Sequence, residues 1–178
     1  MEKTTENIIR IAIVGPECTG KSTLAEGLAA HYKTNFVPEY AREYINTLSR
    51  PYTIEDIVKI SQEQMQLEDE LATKANRLLI CDTNLVVTKI WAEFKYKQCP
   101  EWVRENITKR KYARHLLTDI DIPWESDPQR EHPHLRRELF EIYERELNAL
   151  KVPYQVISGN AEERLQSAIK AIDGLPKN

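Results

Sequence analysis

The sequence has no excess of positive charge. Its 178 residues include 25 lysines and arginines against 28 aspartates and glutamates, which gives a net charge of −3 at pH 7. A protein that binds nucleic acid usually presents a basic face, because contacts to the phosphate backbone dominate its affinity. We therefore expect no nucleic-acid partner.

Long apolar runs are absent as well. No stretch approaches the roughly 20 apolar residues of a membrane-spanning helix, and the opening MEKTTENIIR lacks the apolar core of a signal peptide. We expect a cytoplasmic protein that does not associate with a membrane. The length and the 41% of hydrophobic residues fit a single domain, residues 1–178, with a full core.

Cysteine is scarce, with only Cys18, Cys81 and Cys99. Their odd number and the lack of CxxC spacing argue against a disulfide framework and against a zinc site. We interpret them as small buried or half-buried thiols. The histidines of the EHPH stretch, residues 131–134, have no evident third ligand, so we interpret that stretch as a solvated loop.

Glycine is also rare, yet two of the five glycines lie in GPECTGKS, residues 15–22. This stretch fits the phosphate-binding pattern G-x-x-x-x-G-K-[ST] and stands between an apolar run and a helical pattern, which is the context that the motif requires. Glycines allow successive N–H groups to turn inward toward phosphate oxygens. The Lys21 ammonium suits the β- and γ-phosphates, and the Ser22 hydroxyl suits Mg²⁺.

We therefore predict a P-loop that binds a nucleoside triphosphate with Mg²⁺. The residues expected to contact the nucleotide are Gly15, Glu17, Cys18, Thr19, Gly20, Lys21, Ser22 and Thr23.

Short apolar runs alternate with helical patterns along the whole chain. This order predicts an α/β fold of the P-loop NTPase type, an open parallel sheet of about five strands flanked by helices. Strands are predicted at 8–14, 34–39, 77–83, 113–121 and 152–158. Helices are predicted at 21–32, 53–75 with Thr53 as N-cap, 85–97, 100–111, 135–150 and 160–172.

Two nucleotide-protein signatures are missing. A regulatory GTPase needs an NKxD motif and an ABC-type ATPase an LSGGQ-like motif, and the sequence has neither. Small-molecule kinases with a lid are the remaining leading class. Such a kinase needs a carboxylate near the acceptor hydroxyl, a carboxylate for the Mg²⁺ shell and a cationic lid.

Two carboxylates follow predicted strands. Glu39 ends the second strand, where it can accept a proton from a substrate hydroxyl, and Arg42 would share its face if a helix starts there. Asp82 ends the third strand and can hold Mg²⁺ through water or act as the base itself. The structural alternatives are a surface helix start for Glu39 and a helix cap for Asp82.

The polar segment 121–137 is the predicted lid. Arg130 is expected to clamp phosphates, whereas Arg136 and Arg137 fit either the lid or a solvated helix face. Trp124 suits either a stacking platform or the core. After the last strand, Asn160 either borders the adenine or only caps the closing helix.

Four stretches, GPECTGKSTL, FVPEYAREY, CDTN and DIPWESDPQRE, together resemble the ribosylnicotinamide kinase domain of the NadR proteins. The likeness runs in order from about Ile9 to Ile172. The P-loop is shared by many families, whereas the PEYARE and PW..D..R blocks are much more discriminating. The resemblance implies that ATP phosphorylates the 5′-hydroxyl of nicotinamide riboside, giving nicotinamide mononucleotide and ADP.

The resemblance also implies roles for individual residues. It gives a catalytic role to Lys21, Glu39, Asp82 and Arg130, with Ser22 and Asp82 at the metal. It places Glu39, Arg42, Asp82, Trp124 and Asp127 at the acceptor, with Trp124 near the nicotinamide.

Enteric members of the family join this kinase to an adenylyltransferase and a DNA-binding module, and neither is expected in 178 residues. Segment 94–111 carries no motif that we can assign, so another nucleoside or nucleotide remains open as acceptor. A non-catalytic ATP-binding regulatory module is the alternative of another class. The oligomeric state is left open.

Overall fold

The computed structural model describes residues 7–176. The ends of the predicted domain and most of the stretch tested for a signal peptide lie outside the described residues. The elements in chain order are β1 Ile9–Val14, α1 Lys21–Tyr32, β2 Phe36–Val37, α2 Tyr40–Thr47, α3 Ile54–Ala72, β3 Leu78–Asp82, α4 Leu85–Tyr96, α5 Glu101–Asn106, β4 Arg114–Thr118, α6 Arg136–Ala149, β5 Tyr154–Ile157 and α7 Ala161–Asp173.

The sheet is parallel throughout and has the order β2-β3-β1-β4-β5. Its centre is β1, in which Ile13 pairs with Asp82 of β3 and Val14 pairs with Leu117 of β4. The carboxyl ends of three strands therefore meet at one edge, where ligands of open α/β sheets bind. The predicted fold class is confirmed.

Helices cover both faces of the sheet. On one face, Leu24 and Leu28 of α1, one helical turn apart, pack with α7 against β1. On the other face, Ile90 of α4 and Leu147 of α6 pack against the opposite side of β1 and β4. Both layers bury apolar side chains that alternate along β1, as expected for a strand enclosed on two sides.

Several element bounds differ from the sequence prediction. β2 has only two residues because Pro38 lacks the N–H that would continue the ladder. The helix α2, which the sequence suggested only conditionally, begins at Tyr40. Thr53 is the N-cap of α3, as predicted, and forms a reciprocal capping box with Asp56. The predicted helix 100–111 is shorter, α5 ending at Asn106.

Within residues 7–176, no helix combines the length and the apolar character that crossing a bilayer requires.

Candidate active site

The P-loop connects β1 to α1 and depends on its two glycines. Gly15 and Gly20 have φ angles of 148° and 76°, which side chains rarely tolerate. A Cβ on Gly15 would meet the side chain of Thr118 and would lie 3.0 Å from the carbonyl oxygen of the same residue. The first glycine therefore allows the loop to pass directly over the end of β4.

The loop has a defined conformation. The Lys21 ammonium donates hydrogen bonds to the carbonyl oxygens of Gly15 and Pro16, at 3.0 and 2.9 Å. The buried Thr19 hydroxyl donates to the Pro16 carbonyl at 2.7 Å and lies 2.7 Å from the hydroxyl of Thr118. Lys21 therefore lies across the loop, on the cavity that the loop lines.

Ser22 and Asp82 come together from α1 and β3. The Ser22 hydroxyl donates to Oδ2 of Asp82 at 2.6 Å. The other carboxylate oxygen is buried and has no hydrogen-bond partner among residues 7–176. Burial and the nearby charge of Glu39 raise the pKa of Asp82 to about 6, against the opposing effect of Lys21. A hydroxyl and a carboxylate with an unpaired oxygen fit a hard cation such as Mg²⁺.

The turn after Asp82 is strained. Thr83 is β-branched and buried, yet its φ angle is 77°, a conformation that costs energy and persists only where its surroundings enforce it. Its N–H donates to the carbonyl of Ile13 at 3.0 Å. The next residue, Asn84, caps α4 and lies 3.1 Å from the ring nitrogen Nε2 of His115. These bonds hold the backbone that carries Asp82.

A cavity of about 510 Å³ opens from the P-loop, within the usual size of small-molecule sites. Glu39, at the N-terminus of α2, and Arg42 line it beside the loop, and Arg130 lines it from the predicted lid segment. The sheet edge and α2 thus bring the P-loop, Glu39 and Arg42 to one cavity. Asp82 does not line the cavity itself but bonds to Ser22, which does.

Aromatic side chains form part of the cavity wall, which we call the aromatic wall. Tyr52 precedes α3, Trp91 and Phe94 lie on α4, and Tyr143 lies on α6. The sequence analysis missed this wall, although Trp91 and Phe94 have the i, i+3 spacing of one helix face. Segment 94–111, which carried no motif, contributes Phe94 and Lys95 to the lining.

Three predicted site residues, Trp124, Asp127 and Asn160, do not line the cavity. The Trp124 ring instead lies under the Arg136 guanidinium, whose central carbon is 5.7 Å from the ring centroid. The Asn160 side chain accepts a hydrogen bond from the Glu163 N–H and caps α7, which is the structural alternative for this residue. Asp127 forms an ion pair with Arg42 at 2.8 Å and so joins the lid to α2.

The predicted lid segment, residues 121–137, contacts the P-loop. The Glu17 carboxylate accepts hydrogen bonds from the lid N–H groups of Glu131 and His132, at 3.0–3.2 Å. Arg136, which the sequence left between lid and solvated face, donates to the carbonyl oxygen of Cys18 at 3.1 Å. Glu17 and Cys18, whose identity the P-loop motif does not specify, therefore contact the predicted lid segment.

Arg164 of α7 is a residue that the sequence analysis did not single out. Its side chain is only 5% exposed, and its guanidinium bonds to the carbonyl oxygens of Gly159, Thr19 and Asp119 and to the carboxylate of Asp121. It therefore ties the last helix to the P-loop and to the end of β4. No local pattern distinguishes it from a solvated arginine on a polar helix.

Replacing Arg164 with methionine should lower the free energy of unfolding by roughly 3 kcal/mol, because three carbonyl groups lose the guanidinium that bonds to them. Urea denaturation followed by circular dichroism measures the change. The matched control is Arg145→Met, at an exposed position of α6. A loss no larger than that of the control would contradict the bracing role.

The chain is similar to several known proteins. The trifunctional NAD biosynthesis/regulator protein NadR of Escherichia coli (strain K12) is 28% identical over 124 residues, which cover 66% of this chain and 30% of that protein. The chain thus spans about a third of the length of the curated relatives that it matches. The sequence resemblance to NadR proteins is confirmed.

Solved structures share the fold. NadR protein in complex with NR, and with NAD and AMP-PNP, gives TM-scores of 0.82 and 0.80 at 19% and 20% identity, covering 98% of this chain and 53% and 52% of those chains. Thymidylate kinase from Ehrlichia chaffeensis gives 0.65 at 13% identity, covering 93% and 99%. A family model described as an AAA domain, AAA_28, matches residues 10–164. Because this match covers most of the sequence, the chain belongs to the AAA_28 family of AAA domains.

Proposed function

We propose that this protein is an ATP-dependent kinase that phosphorylates the 5′-hydroxyl of nicotinamide riboside, giving nicotinamide mononucleotide and ADP. One observation carries the proposal: the P-loop, Glu39 and the aromatic wall line a single cavity. The wall suits a flat ring, and the loop suits a triphosphate. The similar NadR structures hold NR and AMP-PNP, which supports both assignments.

In the proposed reaction, the acceptor oxygen attacks the γ-phosphorus, the bond to the β-phosphate oxygen breaks, and the hydroxyl proton passes to a carboxylate. Lys21, the P-loop N–H groups and Arg130 would offset the charge of the transition state. Ser22 and Asp82 would hold Mg²⁺, which neutralises charge on the phosphates when it is bound. Glu39 and Asp82 both remain candidates for the base.

The lid gives the site a means to exclude water. Hydrolysis of ATP competes with transfer to the acceptor, so closure of residues 128–132 over the cavity favours transfer. Arg130 would reach the phosphates from this segment, because it lines the same cavity as Lys21.

The aromatic wall leads to a prediction on the two tryptophans. Trp91→Ala should raise KM for the acceptor about 10-fold, through loss of ring contacts worth about 1.4 kcal/mol, and should leave KM for ATP within about two-fold. In the same assay, Trp124→Ala tests the hypothesis from the sequence that Trp124 lies near the nicotinamide. An effect of Trp124→Ala with none of Trp91→Ala would assign the acceptor ring to the lid and contradict the wall.

The direct test of the function is product analysis after incubation with MgATP and nicotinamide riboside, expected to yield nicotinamide mononucleotide and ADP in equal amounts. A panel of other nucleosides and nucleotides forms the comparison arm. Transfer to another acceptor alone would keep the kinase and change its substrate. Tight ATP binding without product from any acceptor would favour a non-catalytic regulatory module.

A further inference from the structure

The lid is bonded to the P-loop through the backbone of Glu131. Its N–H group lies 3.1 and 3.2 Å from the two carboxylate oxygens of Glu17, and the next N–H group, of His132, donates to the same carboxylate at 3.0 Å. Glu17 belongs to the loop that would hold the triphosphate. The position of this part of the lid is therefore tied to the donor side of the cavity.

The side chain of Glu131 points the other way, to the aromatic wall. One carboxylate oxygen accepts a hydrogen bond from the Tyr52 hydroxyl at 2.8 Å, and the other is 2.9 Å from the Lys95 ammonium. The side chains of Glu131 and Lys95 are each about one third exposed. One lid residue thus contacts the P-loop through its backbone and the aromatic wall through its carboxylate.

The Tyr52 hydroxyl has no spare hydrogen-bonding capacity. It donates to Glu131 and accepts from Trp91 Nε1 at 3.0 Å and from Lys95 at 2.6 Å, and a phenol offers one donor and two acceptor sites. The rings of Tyr52 and Trp91 also meet edge to face at 5.0 Å. Burial raises the pKa of Tyr52 to about 12, so the hydroxyl remains a donor at neutral pH.

From these contacts we infer that Glu131 is a positioning residue that couples the two substrate sites. An acceptor ring packed against Tyr52 and Trp91 excludes water from the partly exposed Glu131–Lys95 pair and so strengthens the bonds that hold the lid. The held lid in turn keeps its N–H groups on Glu17, beside the triphosphate site. This inference rests on the proposed function, because it takes the aromatic wall as the acceptor site.

Coupling of this kind is reciprocal. Nicotinamide riboside should tighten the binding of AMP-PNP by about five-fold or more, and AMP-PNP should tighten the binding of nicotinamide riboside by the same factor. Isothermal titration of each ligand, alone and with the other at saturation, measures both factors on the full chain.

Two variants remove the link without removing either site. Glu131→Gln loses the charge that faces Lys95, and Tyr52→Phe loses the hydroxyl but keeps the ring. In each, we expect the coupling factor to fall below two-fold while AMP-PNP alone binds within two-fold of wild type. Glu141→Gln, at an exposed position of α6, is the control and should keep the full factor. Absence of coupling in wild type, or full coupling in both variants, would overturn the inference.

A second measurement needs no acceptor. Hydrogen exchange of the Glu131 and His132 amides should become several-fold faster in Tyr52→Phe, although the Tyr52 hydroxyl bonds to neither amide. Tyr154→Phe, on β5, is the control and should leave this exchange unchanged. If nicotinamide riboside does not bind, the proposed function fails. The exchange measurement still tests whether Tyr52, through Glu131, holds the lid N–H groups on Glu17. Unchanged exchange in Tyr52→Phe would overturn it.

Discussion

Replacing Lys21 with alanine should reduce kcat by roughly 10³-fold or more, because the ammonium is the only cation within the predicted phosphate-binding motif itself and its effect is largest on the charge of the transition state. The side chain lies across the P-loop, 3.0 Å or less from two of its carbonyl oxygens. A modest shift toward the γ-phosphate would keep it within the cavity that the loop lines. Steady-state assays with the acceptor that proves active measure the loss.

The same substitution removes two hydrogen bonds to the loop, so folding has to be followed separately. The thermal unfolding midpoint of Lys21→Ala distinguishes a lost catalytic group from a collapsed loop. Lys170→Ala, at an exposed position of α7, is the control for loss of a positive charge. If Lys21→Ala keeps turnover within a few-fold of wild type, the assignment of residues 15–22 to the triphosphate is wrong.

Asp82→Asn should have opposite effects on activity and stability. We expect kcat to fall by roughly 10²-fold or more, because either proposed role of Asp82 needs a negative charge. The metal-free protein should become more stable at pH 7, by about 2 kcal/mol. The raised pKa, from 3.8 to about 6, means that burying the charge costs up to about 3 kcal/mol. The amide that replaces the carboxylate would attract the Glu39 carboxylate, which Asp82 repels.

The pH dependence of unfolding provides the measurement. A carboxyl with a raised pKa in the folded state contributes stability that is present below about pH 4 and is lost as the pH rises through about 6. In EDTA, the free energy of unfolding of the wild type should decrease between pH 4 and 7 because of this carboxyl, and that of Asp82→Asn should not show this decrease. Glu105→Gln, at an exposed position, should retain the wild-type slope. A destabilised Asp82→Asn with that slope intact would show that the carboxylate is not strained by burial.

The sequence by itself determined the P-loop and the order of the elements. Both depend on local rules: glycines where φ is positive, a lysine and a serine at fixed spacing, and apolar runs that end at turns. Parallel strands carry their carboxyl ends to one edge, so the positions of Glu39 and Asp82 beside the P-loop followed from chain order alone. Thr53 as the N-cap of α3 could also be predicted from the sequence, because capping depends on a local preference for Ser, Thr, Asp or Asn.

Only the tertiary structure decided which side chains share the cavity and which brace it. Arg164 reaches Thr19 across 145 positions of sequence, and Tyr52 meets Glu131 across 79. Periodicity shows that one face of α4 is buried, but not that Trp91 on that face meets a tyrosine hydroxyl. Such contacts depend on how helices pack against the sheet and on where a long loop settles, and no local pattern encodes those distances.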